Sequence, residues 1–290
     1  DRATAAGARL DIAGAVTVTA ALMLAVYAVV NGNEAGWLSR RTLGMFAAAA
    51  LLLSLFLWIE ARVQSPLVPL GLFRLRNVAT ANLVGVLWAA AMFAWFFVSA
   101  LYMQLVLGYS PLQVGLAFLP ANLIMAAFSL GLSAKMVLRF GIRLPLAAGL
   151  LVAAFGLALF AFAPVGGGFL IHVLPGMLLL GLGAGMAFNP MLFAAMNDVP
   201  PNEAGLASGV VNTAFMMGGA LGLAVLVSLS AARTENLLAS GRDALTALNG
   251  GYQLAFAVGA VFAAMAAVIG LILLRAGVKG AARETAIETV

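Results

Sequence analysis

Tyr102-Met-Gln-Leu-Val-Leu-Gly108-Tyr-Ser110-Pro111-Leu-Gln-Val-Gly115-Leu-Ala-Phe-Leu-Pro120 lies in the middle of 58 residues, Asn77 to Ala134, that contain no Asp, Glu, Lys or Arg. A helix rises about 1.5 Å per residue, and a bilayer core of roughly 30 Å takes about 20 residues to cross. The stretch is long enough for two crossings, and the turn signal Gly108-Tyr109-Ser110-Pro111 divides it near its centre. A closed barrel would also satisfy its backbone in hydrocarbon, but it needs short segments that alternate with period two. Runs such as Leu150 to Ala163 are apolar on every face, so helices are preferred.

The same reading extends outward in both directions. Charge-free stretches run from Ile12 to Asn33, Thr42 to Ile59, Leu144 to Asn197, Ala204 to Ala232 and Ala244 to Leu274. Leu144 to Asn197 is again long enough for two spans, divided at Ala163-Pro164-Val-Gly-Gly-Gly168. The expectation is an all-α integral membrane protein with eight transmembrane helices, near 12–33, 42–59, 77–107, 112–134, 144–163, 169–197, 204–231 and 251–274. Composition agrees: 64% of the 290 residues are hydrophobic and 9% are charged, against about a quarter charged in soluble domains. A water-solvated globular enzyme is excluded.

The net charge of +5 invites a nucleic-acid reading, which the placement of the basic residues removes. Alternate loops put Arg2, Arg9, Arg62, Arg74, Arg76, Lys135, Arg139, Arg143, Arg275, Lys279 and Arg283 on one side and Arg40, Arg41, Arg233 and Arg242 on the other. The positive-inside rule assigns the larger set, with both ends of the chain, to the cytoplasm. No basic patch with interleaved aromatics is present to track a nucleic-acid strand. Cysteine is absent, which removes disulfides and thiolate metal sites. No cofactor and no metal are expected. The first apolar run exceeds a signal-peptide core and reads as a true span. The chain opens on Asp1 rather than a methionine, which reads as part of a longer polypeptide.

The Tyr102–Pro120 stretch resembles the helix-turn-helix of the EmrB/QacA-like drug:proton antiporters, the fourteen-helix branch of the major facilitator superfamily. Asn202-Glu-Ala-Gly205-Leu-Ala-Ser208-Gly209-Val-Val-Asn212-Thr213, followed by Gly218-Gly219-Ala-Leu-Gly222, resembles the penultimate helix of that family. Pro66-Leu-Val-Pro69-Leu-Gly-Leu-Phe73-Arg74 resembles its cytoplasmic connector, and Arg139-Phe-Gly141-Ile-Arg143, with Lys135 upstream, a reduced form of its basic loop motif. The resemblance implies two linker helices with their connector over 1–76, a six-helix C-terminal domain over 77–275 and a cytoplasmic tail over 276–290. It also implies a multi-pass protein of the plasma membrane, proton-coupled export of small lipophilic substrates by alternating access, and a missing N-terminal domain that carries the acidic coupling residue. The chain departs from the family at Phe215-Met216, where an Arg-Gln pair is common. Pro111, Gly115, Leu116 and Ala117 recur as Pro201, Gly205, Leu206 and Ala207, as an inverted repeat requires, and chance recurrence is open beside it.

Helical spacing of about 100° per residue places Gly205, Ser208, Gly209, Asn212, Met216 and Gly219 on one stripe, and Gly218 and Gly222 are packing or gating candidates of the same span. Helix packing or gating and substrate contact both fit these residues. Met92, Phe96 and Ser99 share a face with Gly85 and Met103, and Gln104 follows near the outer end; such a face suits varied lipophilic ligands, or simply the core. Asn189-Pro190 in the sixth span marks a place for a kink, with Asn189 a substrate or gating candidate. His172 reads as an interfacial residue, and Asp198 and Glu203 as loop and cap residues. No acid lies inside any of the charge-free spans, so coupling protons is left to the missing domain. An intramembrane enzyme would need paired acids, a His-acid pair or a metal cluster at helical spacing, and none is present. A truncated or regulatory membrane protein without transport of its own is the competing class.

Overall fold

The computed structural model describes residues 11–275, apart from 64–65, 69, 197–198 and 201–202. The chain divides between Arg74 and Leu75 into two compact units.

The first unit is a helical hairpin. α1 (Ile12–Ala35) opens on Asp11, whose carboxylate accepts from Gly14 N–H, and stops at Gly36, where φ is +84°. α2 (Arg40–Glu60) opens on Ser39, whose hydroxyl accepts from Thr42 N–H. Such caps satisfy donors that a helix leaves unpaired at its start. A 3₁₀ turn at Leu70–Arg74 closes the unit.

The second unit is built from α3 (Arg76–Leu101), α4 (Pro111–Ala127), α5 (Ser133–Phe140), α6 (Arg143–Ala161), α7 (Leu174–Met196), α8 (Ala204–Ala239) and α9 (Ala244–Leu273). α4 and α5 form one span, joined by a π-helical turn at Phe128–Leu132. Eight helical stretches among the described residues are long and apolar enough to cross a bilayer. α3 packs on α7, α8 and α9, and α6 on α7 and α9, while α4 leans mainly on α7. The fully buried large side chains Trp88, Trp95, Tyr102, Phe160 and Phe256 mark the centre of this core.

The turn that decided the fold has a local cause. Gly108 takes φ +74°, and Ser110 then starts α4 with a full capping box. Its hydroxyl accepts from Gln113 N–H while the Gln113 side chain accepts from Ser110 N–H, and Pro111 sits where a missing N–H costs nothing. Three boundaries differ from the sequence expectation, and the first is the fourth span, which continues through α5 to Phe140. α8 runs on to Ala239 and α9 starts at Ala244, so only residues 240–243 join them. Charge marks where hydrocarbon ends, whereas a helix continues in water, and Arg233 and Glu235 sit on such an extension. Asp243 caps α9, and the backbone N–H of Thr246 holds its exposed carboxylate below the usual range.

Glycines set how near α7 approaches its neighbours. A Cβ on Gly183 would stand 2.5 Å from the Gly149 carbonyl oxygen, and one on Gly149 would stand 2.8 Å from the Gly183 oxygen. On another side of α7, a Cβ on Gly181 would stand 2.2 Å from the Ala121 oxygen of α4. The Gly181-Leu-Gly183-Ala-Gly185 run is therefore a spacer for two neighbours at once, as small-residue contacts between membrane helices are.

Candidate functional site

α8 carries two kinds of small residue, and the structure separates them. Gly218, Gly219 and Gly222 press on α3: added Cβ atoms would meet Val86 at 2.5 Å, the Phe93 ring at 2.7 Å and Ala90 at 2.1 Å. Gly205 and Gly209 meet nothing within 4 Å. Along the same side Ser208, Asn212, Thr213 and Met216 are exposed, Met216 by 48%. Gly218 and Gly222 press on α3 from an adjoining face of the helix, while of the stripe read from the sequence Gly219 packs on α3 and the remaining members form an uncovered surface. Polar side chains are costly against lipid, so this surface is made to face water, a ligand or another protein element.

Behind it stands an aromatic group that the sequence reading did not assemble. Phe215 of α8 is 6% exposed and meets Phe93 of α3 and Phe188 of α7 edge-on, at centroid distances of 6.3 and 6.1 Å. Such geometry sets a ring's positive edge on a partner's negative face. The only signal for it in the sequence was the departure at Phe215-Met216. Phe188 is 37% exposed, so the group reaches the surface.

The α3 face divides. Ser99 and Met103 are fully buried, and the Ser99 hydroxyl donates to the Trp95 carbonyl of its own helix, so it offers nothing to a ligand. Phe96 is half-buried and stacks on Phe118 of α4 at 5.4 Å and on Trp95 at 4.3 Å. Met92 is half-buried and Gln104 exposed. Beyond Gln104, Tyr109, Gln113, Leu116, Ala117, Pro120 and Phe169 line a groove of about 350 Å³.

Asn189 is committed to the protein: its amide donates to the Ser129 carbonyl at 2.7 Å, inside the π-turn of the α4–α5 span. Pro190 is buried, and α7 continues past it to Met196. At the loop motif, Lys135 and Arg139 are exposed, Arg139 over the Phe140 ring, and Gly141 takes φ +74°. Arg143 donates through Nε and Nη2 to the Leu271 carbonyl, and Arg76 through Nε to the Leu273 carbonyl. Both arginines complement the carbonyl end of α9, where positive charge is favoured. His172 has a structural task, its Nδ1 accepting from Gly168 N–H at 3.0 Å. Glu203 stands at the start of α8 but makes no side-chain cap bond, contrary to the capping expected of it; Asp198 lies outside the described residues. Two amides also went unforeseen: Asn249 and Gln253 of α9 both donate to the Ala163 carbonyl after α6, each at 3.0 Å.

Comparison with known proteins places these features in a family. The profile of the Major Facilitator Superfamily matches residues 12–223. The chain is 36% identical to the cephamycin export protein CmcT of Amycolatopsis lactamdurans, over 78% of this chain and 47% of that protein. It is 34% identical to the puromycin resistance protein pur8 of Streptomyces alboniger, over 94% of this chain and 56% of that one. A tetracenomycin C resistance and export protein of Streptomyces glaucescens is 32% identical, over 81% and 44%. The chain spans about half the length of the curated relatives it matches. An all-helical fold with eight apolar helices, a profile covering most of its length and these relatives together make the chain a member of the Major Facilitator Superfamily.

Proposed function

We propose that the chain forms one wall of an alternating-access exporter of lipophilic, drug-like molecules in the plasma membrane, the opposite wall being an N-terminal six-helix domain. The observation that carries this reading is the uncovered side of α8, where Ser208, Asn212 and Met216 lie exposed beside the Phe93–Phe188–Phe215 group. A mixed surface of thioether, aromatic edge and a few hydrogen-bonding groups suits ligands that vary in shape and share lipophilicity. The names of the relatives, which speak of antibiotic export and resistance, support the same substrate class. The charge-free spans of the second unit hold no acid, so proton coupling is assigned to the opposite domain.

Replacing Asn212 by Leu in the intact transporter tests this reading. Loss of one hydrogen bond worth about 1 kcal/mol corresponds to about a fivefold fall in export, with the folded protein level unchanged because Asn212 is exposed. A parallel fall in protein level would return Asn212 to a packing role.

Orientation follows from the basic asymmetry, with both ends of the chain in the cytoplasm. Single cysteines at Ser110 and Ser240, both exposed, should react with an impermeant maleimide from outside. One at Lys135, also exposed, should react only after permeabilisation. Ser133 is unsuitable because it is fully buried. Outside labelling at Lys135 would reverse the topology.

A further inference from the structure

The hairpin of α1 and α2 brings together two acids that the sequence keeps far apart. Asp11 is 7% exposed and Glu60 is 3% exposed. Each carboxylate is anchored through one oxygen: Asp11 Oδ1 accepts from Gly14 N–H at 2.8 Å, and Glu60 Oε2 accepts from Val68 N–H at 3.2 Å. The remaining oxygens, Asp11 Oδ2 and Glu60 Oε1, are buried without a hydrogen-bond partner. Both crowd one point beside Gly14, where a Cβ would stand 2.3 Å from Asp11 Oδ2 and 3.1 Å from Glu60 Oε1.

Two ionised carboxylates cannot share such a pocket without a compensating positive charge. Among the described residues none reaches it. Arg62 is exposed and lies over the Trp58 ring at 4.2 Å, and Arg74 is exposed on the connector. Arg40, Arg41 and Glu34 belong to the opposite end of the hairpin, where Arg41 meets the Tyr27 hydroxyl. Arg2 and Arg9 lie outside the described residues.

The geometry points to a proton-binding site at the mouth of this hairpin, in which Asp11 and Glu60 hold one proton between Oδ2 and Oε1. A single proton removes one negative charge and turns the two unpartnered oxygens into the donor and acceptor of one hydrogen bond. That bond ties the start of α1 to the end of α2, so the hairpin's mouth is clasped while the proton is held. The site goes beyond the transport reading and does not depend on it, because it lies wholly within the first unit.

Infrared difference spectroscopy of the full chain in lipid nanodiscs reads the proton directly. At pH 7 the wild type minus Glu60→Gln spectrum should show one protonated-carboxyl C=O stretch, and wild type minus Asp11→Asn should show the same band. Both changes preserve shape and keep the hairpin folded. Gly14→Ala should also remove the band while keeping both acids in the chain, because its Cβ would stand 2.3 Å from Asp11 Oδ2 and 3.1 Å from Glu60 Oε1 and force them apart. Absence of the band in the wild type, as when Arg9 neutralises two ionised acids, overturns the proposal. A band that survives either amide change also overturns it, since the proton would then belong to one acid alone.

Discussion

Gly181→Ala is expected to remove most of the folded protein. Its Cβ would stand 2.2 Å from the Ala121 carbonyl oxygen and 2.8 Å from the Ala121 Cα. Backbone atoms cannot rotate aside as a side chain can, so α4 and α7 must separate or tilt. Overpacking by one methyl typically costs about 1–3 kcal/mol, and a clash with backbone belongs at the top of that range. Most of what holds the α4–α5 span is its contact with α7, with the Phe96–Phe118 stack on α3 a smaller attachment. The control is Gly209→Ala, inside α8, where nothing lies within 4 Å and alanine should gain about 1 kcal/mol in helix propensity. Thermal unfolding in detergent, with the monodisperse yield, separates the two. Equal melting of Gly181→Ala and wild type would mean that α4 does not approach α7 at this position.

The contrast between these two glycines shows what the sequence could and could not carry. Spans and turns were legible because their causes are local: a charge-free run of the right length, or Ser110, Pro111 and Gln113 arranged to cap a helix. Which glycine touches a neighbour is not local information. α7 is apolar all round, so no polar face gives its rotation away, and both Gly183 and Gly181 look like a common residue in a chain with 32 glycines. The end of α8 was misplaced because charge density reports the bilayer edge and not the end of the helix. The Asp11–Glu60 pair was invisible for a related reason: each acid sits at the boundary of an apolar run, where a solvated charge is the ordinary reading. Only the antiparallel return of α2 sets one beside the other. At the candidate site the sequence found the stripe on α8 but not its division, since Gly219, which packs on α3, shares one helical phase with Gly205 and Gly209, which do not.

Phe215 is where the site is most sharply testable, because it stands where the resembling family commonly has arginine. Phe215→Arg would put a guanidinium in a place 6% exposed, between the Phe93 and Phe188 rings. A charge near the middle of a span costs about 2.5–3.5 kcal/mol on insertion scales, and removing a buried phenylalanine adds about 3–5 kcal/mol where the gap is not refilled. A cation over an aromatic face returns about 1–2 kcal/mol at most, so the loss wins and the variant should lose its folded yield. Met216→Gln, the neighbouring change, should be tolerated, since Met216 is 48% exposed and a glutamine there keeps its amide in reach of water. The measurement is monodisperse yield and melting temperature for each variant in the intact transporter, with Phe215→Leu as an apolar reference expected to fall between them. A Phe215→Arg protein that folds as well as wild type would show that residue 215 opens onto a wet cavity, and the aromatic group would then be a substrate surface rather than the wall behind one.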